Sequence, residues 1–296
     1  MGRYRTPLRY PGGKQRLAPF IAEILEDNDL VGGHYAEPYA GGAGVAMELL
    51  FDGVVSHVHL NDSSAHIFAL WTGILEHTDE FCDRIRRASL CVEDWRVHRE
   101  VVRHPTEHAM LDLGFSTFYL NRCNRSGIIS GGVIGGLAQS GLWKMDARFS
   151  RIELARRVEA IARRASQISL SQLDAEDFLR GFEQGEHSRD SLVYCDPPYY
   201  EHAQRLYLDS YQADDHARLA RFVQNELSLN WVVSYDGHPD VIELYGERRK
   251  FLYDLQYSAA RSYKGQEVFI FSDDVSIPTR SKISSVNDAL ARLSCG

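Results

Sequence analysis

The sequence predicts a doubly wound, Rossmann-like α/β sheet with a terminal antiparallel hairpin, interrupted by an inserted, mostly helical domain. Three observations predict it. A short strand, a glycine-rich loop, a helix, a second strand and an acid follow one another between His34 and Asp62, which is the first unit of such a sheet. The apolar run Ser191–Cys195 stops at two prolines, which can neither continue a ladder nor enter a helix interior. The runs 251–257 and 267–272, joined through Arg261-Ser262-Tyr263-Lys264-Gly265, read as a closing hairpin.

The elements follow in order. Residues 15–27 place Leu17, Phe20, Ile21, Ile24 and Leu25 at helical spacing, and Gly32-Gly33 breaks the pattern. A strand at His34-Tyr35-Ala36 leads into Glu37-Pro38-Tyr39-Ala40-Gly41-Gly42-Ala43-Gly44, then a helix over 45–51. A strand over 54–60 ends in Asn61-Asp62, and a long helix starts at Ser64. Residues 80–112 read as helical and charged. Six glycines within 126–141 predict a mobile loop or hairpin, not a core element. Sheet-like runs resume at 167–171, 191–195 and 231–234. The expected division is a catalytic core at 1–80 and 165–280, an insertion at 81–164 and a tail at 281–296.

Composition narrows the class. A chain of 296 residues with 44% hydrophobic and 25% charged content buries a sizeable core. It contains no 18-residue apolar run, and Met1–Tyr10 has no apolar leader segment, so neither a membrane span nor a secretory signal is expected. Five cysteines, never in C-x-x-C spacing, fit reduced thiols in a cytoplasm. The net charge of −8 conceals a partition. Residues 82–165 carry 15 Lys+Arg against 9 Asp+Glu, leaving 18 bases and 32 acids elsewhere. A basic middle in an acidic chain is what a local phosphate-binding face produces, although solvated i,i+4 pairs such as Glu153/Arg157 and Glu159/Arg163 produce it too.

Two constellations carry chemistry. Asp196-Pro197-Pro198-Tyr199 sets an acid, a carbonyl with no competing N–H and an aromatic ring at the carboxyl end of a strand, the edge where open α/β sheets bind ligands. Such a set can grip a planar amino group on a heteroaromatic base; the plainer alternative is a strand-ending turn. Upstream, Gly41, Gly42 and Gly44 permit close backbone approach, but the spacing is neither G-x-G-x-x-G nor a phosphate loop. Glu37 points to a cationic ligand, and Asp62 sits where a ribose diol is held. A cofactor with ribose, a cation and no phosphate describes S-adenosylmethionine; helix capping is the alternative for both acids. His57, His59 and His66 lack the partners of a metal site and read as surface, so no metal is expected. Val232-Val233-Ser234-Tyr235-Asp236 ends a strand on the same edge and reads foremost as a strand end. Tyr207 and Tyr211 read equally as part of a closing loop or as helix anchors.

Taken in order, Tyr10-Pro11-Gly12-Gly13-Lys14, the segment Glu37–Gly44, Asn61-Asp62 and Tyr194-Cys195-Asp196-Pro197-Pro198-Tyr199 resemble the Dam family of DNA adenine N6-methyltransferases over roughly residues 7–275. The resemblance implies S-adenosylmethionine as cofactor, double-stranded DNA as partner and a prokaryotic or phage-encoded origin. It implies Asp196, Pro197 and Tyr199 as catalytic residues. Around the cofactor it implies Tyr10, Gly12, Lys14, Glu37, Pro38, Gly41, Gly44, Asp62, Asp177 and Asp196. The insertion then corresponds to a target-recognition domain, in which Phe118-Tyr119-Leu120-Asn121-Arg122 resembles the lead into a DNA-reading hairpin. Asn121, Arg122, Arg125, Ser126, Lys144 and Arg148 are the expected DNA contacts, with plain surface charge as the alternative for the basic ones. Where GATC-specific members carry an intercalating aromatic, an Asn and a guanine-reading Arg, this chain has Arg125, Ser126 and Ser130, so the resemblance extends to adenine in DNA and not to GATC. The expected enzyme flips its adenine and works alone, as a monomer, or beside a restriction partner. Rival substrates are RNA adenine, cytosine N4 and protein glutamine, and a catalytically silent DNA-binding module is the rival outside enzymes.

Overall fold

The computed structural model describes residues 5–9, 14–200, 211–258 and 262–293. Seven strands form one mixed sheet: β1 (His34–Glu37), β2 (His57–Asn61), β3 (Ile168–Ser171), β4 (Ser191–Cys195), β5 (Asn230–Asp236), β6 (Lys250–Ser258) and β7 (Ser262–Phe271). Their spatial order is β3-β2-β1-β4-β5-β7-β6. The first five pair in parallel, whereas β7 runs antiparallel to both β5 and β6. The doubly wound sheet with a terminal hairpin is therefore present. The direction of winding reverses between β1 and β4, the switch point at which open α/β sheets bind ligands outside the carboxyl ends of their strands.

Helices α1 (Ala18–Asp27), α2 (Gly44–Phe51) and α3 (Ala65–Glu76) share one core with Tyr35, Leu60, Tyr194, Val232 and Phe269. The opposite face, with Ala36, Val193, Val233 and Ile270, is covered by α8 (Ala175–Glu183), α9 (Ala213–Asn225) and α10 (Pro239–Leu244). The hairpin packs by aromatic contact: the Phe20 ring lies 5.0 Å from Phe269, and Tyr253 stacks on Phe269 at 4.8 Å.

The stretch 80–112 divides where its sequence carries breaks. Helix α4 (Thr78–Arg87) ends before Cys91, whose Sγ accepts the Asp94 N–H and caps α5 (Val92–Arg103); Pro105 follows the end of α5. Then come α6 (Met110–Cys123) and α7 (Arg151–Ala162). Gly114 lets α6 lie directly on α3, since a Cβ there would stand 2.3 Å from the Ala69 carbonyl oxygen. Phe81, Phe118 and Leu154 accordingly join the same core as Leu70 and Trp71. Within the expected tail, α11 (Ser284–Leu293) buries Val286, Ala289 and Leu290 in that core as well.

The glycine-rich stretch folds back on itself. The Arg125 N–H donates to the Gly132 carbonyl at 3.0 Å and the Ile134 N–H to the Cys123 carbonyl at 2.9 Å. At its turn Gly127 adopts φ +79°, with the space of its missing side chain filled by the Arg9 carbonyl. No helix among the described residues is long and apolar enough to cross a membrane.

Candidate active site

Alternation along the strands builds the site. Successive side chains of a strand point to opposite faces, so residues two apart share one. Glu37 follows Tyr35, Asp196 follows Tyr194, Ser234 follows Val232, Glu267 precedes Phe269 and Tyr253 follows Phe251, every partner lying in the α1–α3 core. At one end of the sheet, then, an apolar face turns polar across five adjacent strands.

Lys14 closes this polar end from above. It sits in the 3-10 turn Lys14–Leu17, which presses so closely on α2 that a Cβ at Gly44 would come 2.9 Å from Gln15 Cβ. Its buried Nζ meets Asp196 Oδ1 at 3.2 Å, donates to Ser234 Oγ at 3.2 Å and pairs with Glu267 Oε2. Burial opposes the charge on Lys14, but Asp196 and Glu267 outweigh it and raise the ammonium above its ordinary value. Burial raises the Asp196 carboxyl, an effect that Lys14 partly reverses and Glu267 reinforces. The Asp196 side chain keeps 28% of its surface exposed, so this acid has an open side. Ser234, whose hydroxyl lies 2.8 Å from the Tyr194 hydroxyl, also donates to Asp196 Oδ1 at 3.2 Å. After the two prolines, Tyr199 donates to Glu267 Oε1 at 3.3 Å, and the Tyr200 N–H is held by Asp236 Oδ1 at 3.1 Å. The end of β5 thereby fixes the turn that follows β4.

The glycine loop is held by the two acids singled out upstream. Glu37 Oε1 accepts the Tyr35 hydroxyl and the Ala46 N–H in the first turn of α2, both at 3.1 Å. Asp62 accepts the Gly41 N–H at 2.8 Å and the Ser64 N–H at 3.0 Å. Capping and ligand binding are thus not exclusive: each acid fixes backbone while standing at the carboxyl end of its strand. Burial pushes the Glu37 carboxyl up to about 8. Pro38, buried, offers its carbonyl to Asn61 Nδ2 at 3.1 Å. Tyr211 reaches Tyr39 beside this loop, hydroxyl to hydroxyl, at 2.8 Å. Asp177 is exposed on α8. Tyr10, Gly12 and Tyr207 lie outside the described residues.

This donor set suits S-adenosylmethionine. The glycines could admit the cofactor against the backbone, Asp62 could accept from a ribose diol, and Glu37 could ionise beside a cation that lowers its pKa. Among the described residues no group of three or more His, Cys, Asp or Glu could hold a metal ion. The strand histidines instead stack: His34 Nδ1 lies 2.8 Å from His59 Nε2, its ring 3.9 Å from His187, and burial pushes His59 down to about 3.

The expected DNA contacts divide into two groups. Arg125, Lys144 and Arg148 are exposed. Asn121 is buried and braces the N-terminal segment, accepting the Arg9 N–H at 2.8 Å and donating to the carbonyls of Arg9 and Gly127 at 2.7 and 2.9 Å. Arg122 donates to the carbonyls of Arg148 and Pro7, and burial among Arg9, Arg157 and Arg148 lowers its guanidinium to about 9. Ser126 is half-buried at φ 57°.

Sequence reasoning placed Ser234 on the same edge but read its segment foremost as a strand end, and passed over Glu267 and Tyr253. The signal was present: Glu267 falls in phase with Phe269 and Phe271, an acid on an otherwise aromatic face.

A reversed hairpin on a parallel sheet, with acids at successive strand ends above a glycine loop, defines a methyltransferase that draws its methyl group from S-adenosylmethionine. The family follows from the sequence itself: residues 10–253 match the model of the D12 class N6 adenine-specific DNA methyltransferases, and the chain belongs to that family. No curated protein matches the chain. Solved structures that match include an rRNA methyltransferase from Streptomyces viridochromogenes, at 14% identity over 90% of this chain and 88% of that one, with TM-score 0.40. They also include an S-adenosylmethionine-dependent methyltransferase from Agrobacterium tumefaciens, at 10% identity over 87% and 60% of the two chains, with TM-score 0.39.

Proposed function

We propose that this methyltransferase acts on the exocyclic N6 of adenine in double-stranded DNA, at a specific site. The observation that carries the proposal is the Asp196 carboxylate, half-open at the sheet edge and braced by Lys14 and Ser234. Adenine N6 is a poor nucleophile because its lone pair is delocalised into the ring. Asp196 and the Pro197 carbonyl accept its two N–H bonds, which favours a pyramidal nitrogen and returns density to the lone pair. Tyr199 stacks on the ring and holds it in line for attack. When bound, the cofactor supplies an electrophilic sulfonium methyl. As the new C–N bond forms and the methyl–sulfur bond gives way, its electron pair staying on sulfur, the nitrogen gains positive charge that the Asp196 carboxylate stabilises, and the same carboxylate can take the proton the nitrogen sheds.

N6 is paired inside a duplex, so the adenine leaves the stack to reach Asp196. The segment 81–164 serves target recognition. Exposed Arg125, Lys144 and Arg148 supply charge to phosphates or bases, while Asn121 and Arg122 hold the backbone that presents them. Leu142, 91% exposed, and Trp143, 69% exposed, offer an apolar wedge beside these charges.

The test is modification-sensitive long-read sequencing of genomic DNA from a methylation-free host expressing the chain or its Asp196→Ala variant. N6-methyladenine confined to one motif, and present only with the unaltered chain, is the expected result. Methyl transfer to RNA or protein instead, with DNA unmarked, overturns the DNA assignment.

A further inference from the structure

Glu267 is fully buried, yet gripping the amine makes no use of it. A carboxylate at that position is costly: moving an ion out of water is strongly unfavourable unless close partners compensate, and a well-packed apolar side chain commonly serves stability as well or better. Its neighbours on the same strand face, Phe269 and Phe271, are such apolar side chains. Two partners of Glu267 lead back to the reacting acid. Lys14 pairs with it and also stands 3.2 Å from Asp196. Tyr199, three residues after Asp196, donates its hydroxyl to Oε1 at 3.3 Å, and its ring centroid lies 5.7 Å from the Lys14 ammonium. Tyr253, directly opposite in the β6–β7 ladder, donates to Oε2 at 2.7 Å.

One ammonium is therefore shared between two carboxylates. With Asp196 alone, Lys14 would close a one-to-one pair and occupy the acceptor that the amine needs. With Glu267 present the three charges sum to −1, facing the place where the nitrogen becomes positive. We propose that Glu267 is a positioning residue for methyl transfer: it draws Lys14 partly away from Asp196 and anchors the Tyr199 hydroxyl, so that the acceptor and the stacking ring meet the target amine in reactive geometry. The proposal rests on Asp196 being the acceptor of that amine.

The experiment compares the full-length chain with Glu267→Gln, Lys14→Met and the double variant. Single-turnover transfer of a labelled methyl group to unmethylated DNA is measured beside S-adenosylmethionine affinity by calorimetry and DNA affinity. Glu267→Gln is expected to slow transfer about 50-fold, with both affinities within about threefold of the unaltered chain. Because the residue acts through Lys14 and otherwise only through the Tyr199 anchor, the double variant should be no more than about fivefold slower than Lys14→Met alone. An unchanged rate, a matching loss of both affinities, or losses that multiply in the double variant would each overturn the proposal. Should Glu267→Gln fail to fold, Tyr199→Phe keeps the ring and removes only the anchored hydroxyl; about a fivefold slower transfer at unchanged affinities is expected, and an unchanged rate refutes the anchoring. If the unaltered chain labels no DNA, the DNA assignment fails by itself. The positioning role is then judged without substrate, from the Lys14 ammonium resonance of lysine-labelled protein. A slowly exchanging signal that Glu267→Gln or, failing that, Tyr253→Phe shifts or broadens supports the role, and an unmoved one refutes it.

Discussion

On the proposed function, the edge of the sheet and the loop at 124–148 solve opposite problems. At the edge, Lys14, Asp196, Ser234, Tyr199 and Glu267 hold one another, and only Asp196 turns a side outward. In the loop, Arg125, Lys144, Arg148, Leu142 and Trp143 are exposed, and what is fixed is the backbone beneath them, through Asn121, Arg122 and Gly127. The difference teaches where preorganisation is spent. A reaction needs charges fixed before the substrate arrives, since fixed dipoles cost no reorganisation as charge develops. Recognition of a deformable polymer needs a fixed platform with adaptable side chains on it.

The largest effect should come from breaking the edge. Asp196→Ala removes the acceptor and leaves Lys14 with Glu267 alone, so methyl transfer should fall by more than about 1,000-fold. DNA affinity should change little, because the loop is intact; a gel-shift titration beside the transfer assay checks both. A variant retaining substantial methylation would erase the proposed contrast between the two regions.

Next comes the loop's platform. Gly127→Ala places a Cβ against the Arg9 carbonyl at φ +79°, a conformation that disfavours any L side chain. A loss of roughly 2–3 kcal/mol in unfolding free energy is expected, readable by urea titration, together with weaker DNA binding. Gly132→Ala, at a position with nothing within 4 Å of the added Cβ, is the control and should be near neutral.

Much of the edge was legible in the sequence and little of the loop. Asp196 could be placed because two prolines end β4, and Glu37 and Asp62 because each follows a short apolar strand. Ser234 and Glu267 were harder: their roles depend on five strands lying in a particular order, and a serine or glutamate in a strand carries no local mark of its neighbour two strands away. Phase against Phe269 was the only trace. In the insertion, charge counting found the basic region but could not separate Arg122, whose donors are taken by Arg148 and Pro7 carbonyls, from exposed Arg125. That distinction belongs to tertiary packing. The single charged helical stretch at 80–112 likewise became α4, α5 and the start of α6, because capping by Cys91 and the break at Pro105 outweighed continuous periodicity.

Cofactor binding gives a smaller effect that sharpens the edge's side of the contrast. Glu37 holds its proton up to about pH 8, because burial disfavours the carboxylate. A cationic ligand favours the ionised form, so binding below that pH must release a proton. The sign is fixed: S-adenosylmethionine affinity should rise with pH toward 8 and level off above it, by at most about tenfold per unit. Calorimetry at pH 7 in buffers of different ionisation enthalpy reads the proton directly. Binding without proton release would leave Glu37 as a cap of α2 and nothing more.

The most local effects belong to single charges of the loop. Arg125, Lys144 and Arg148 differ in what they can do: arginine can pair bidentately with guanine, whereas lysine acts as a point charge on phosphate. Lys144→Ala should therefore weaken binding about equally on every sequence and lower the dependence of log affinity on log salt by about one. Arg125→Ala should cost about 1–3 kcal/mol on the recognised site and less elsewhere, relaxing the motif at one position. Both measurements need the salt concentration varied, from about 50 to 200 mM, since counterion release dominates the absolute affinities. If both variants lose affinity uniformly, the exposed charges are all platform. The recognised bases are then read from elsewhere in the loop, with Leu142 and Trp143 the next side chains to truncate. If Arg125 alone shifts the motif, that side chain reads a base, and a recognition sequence other than GATC is the expected result.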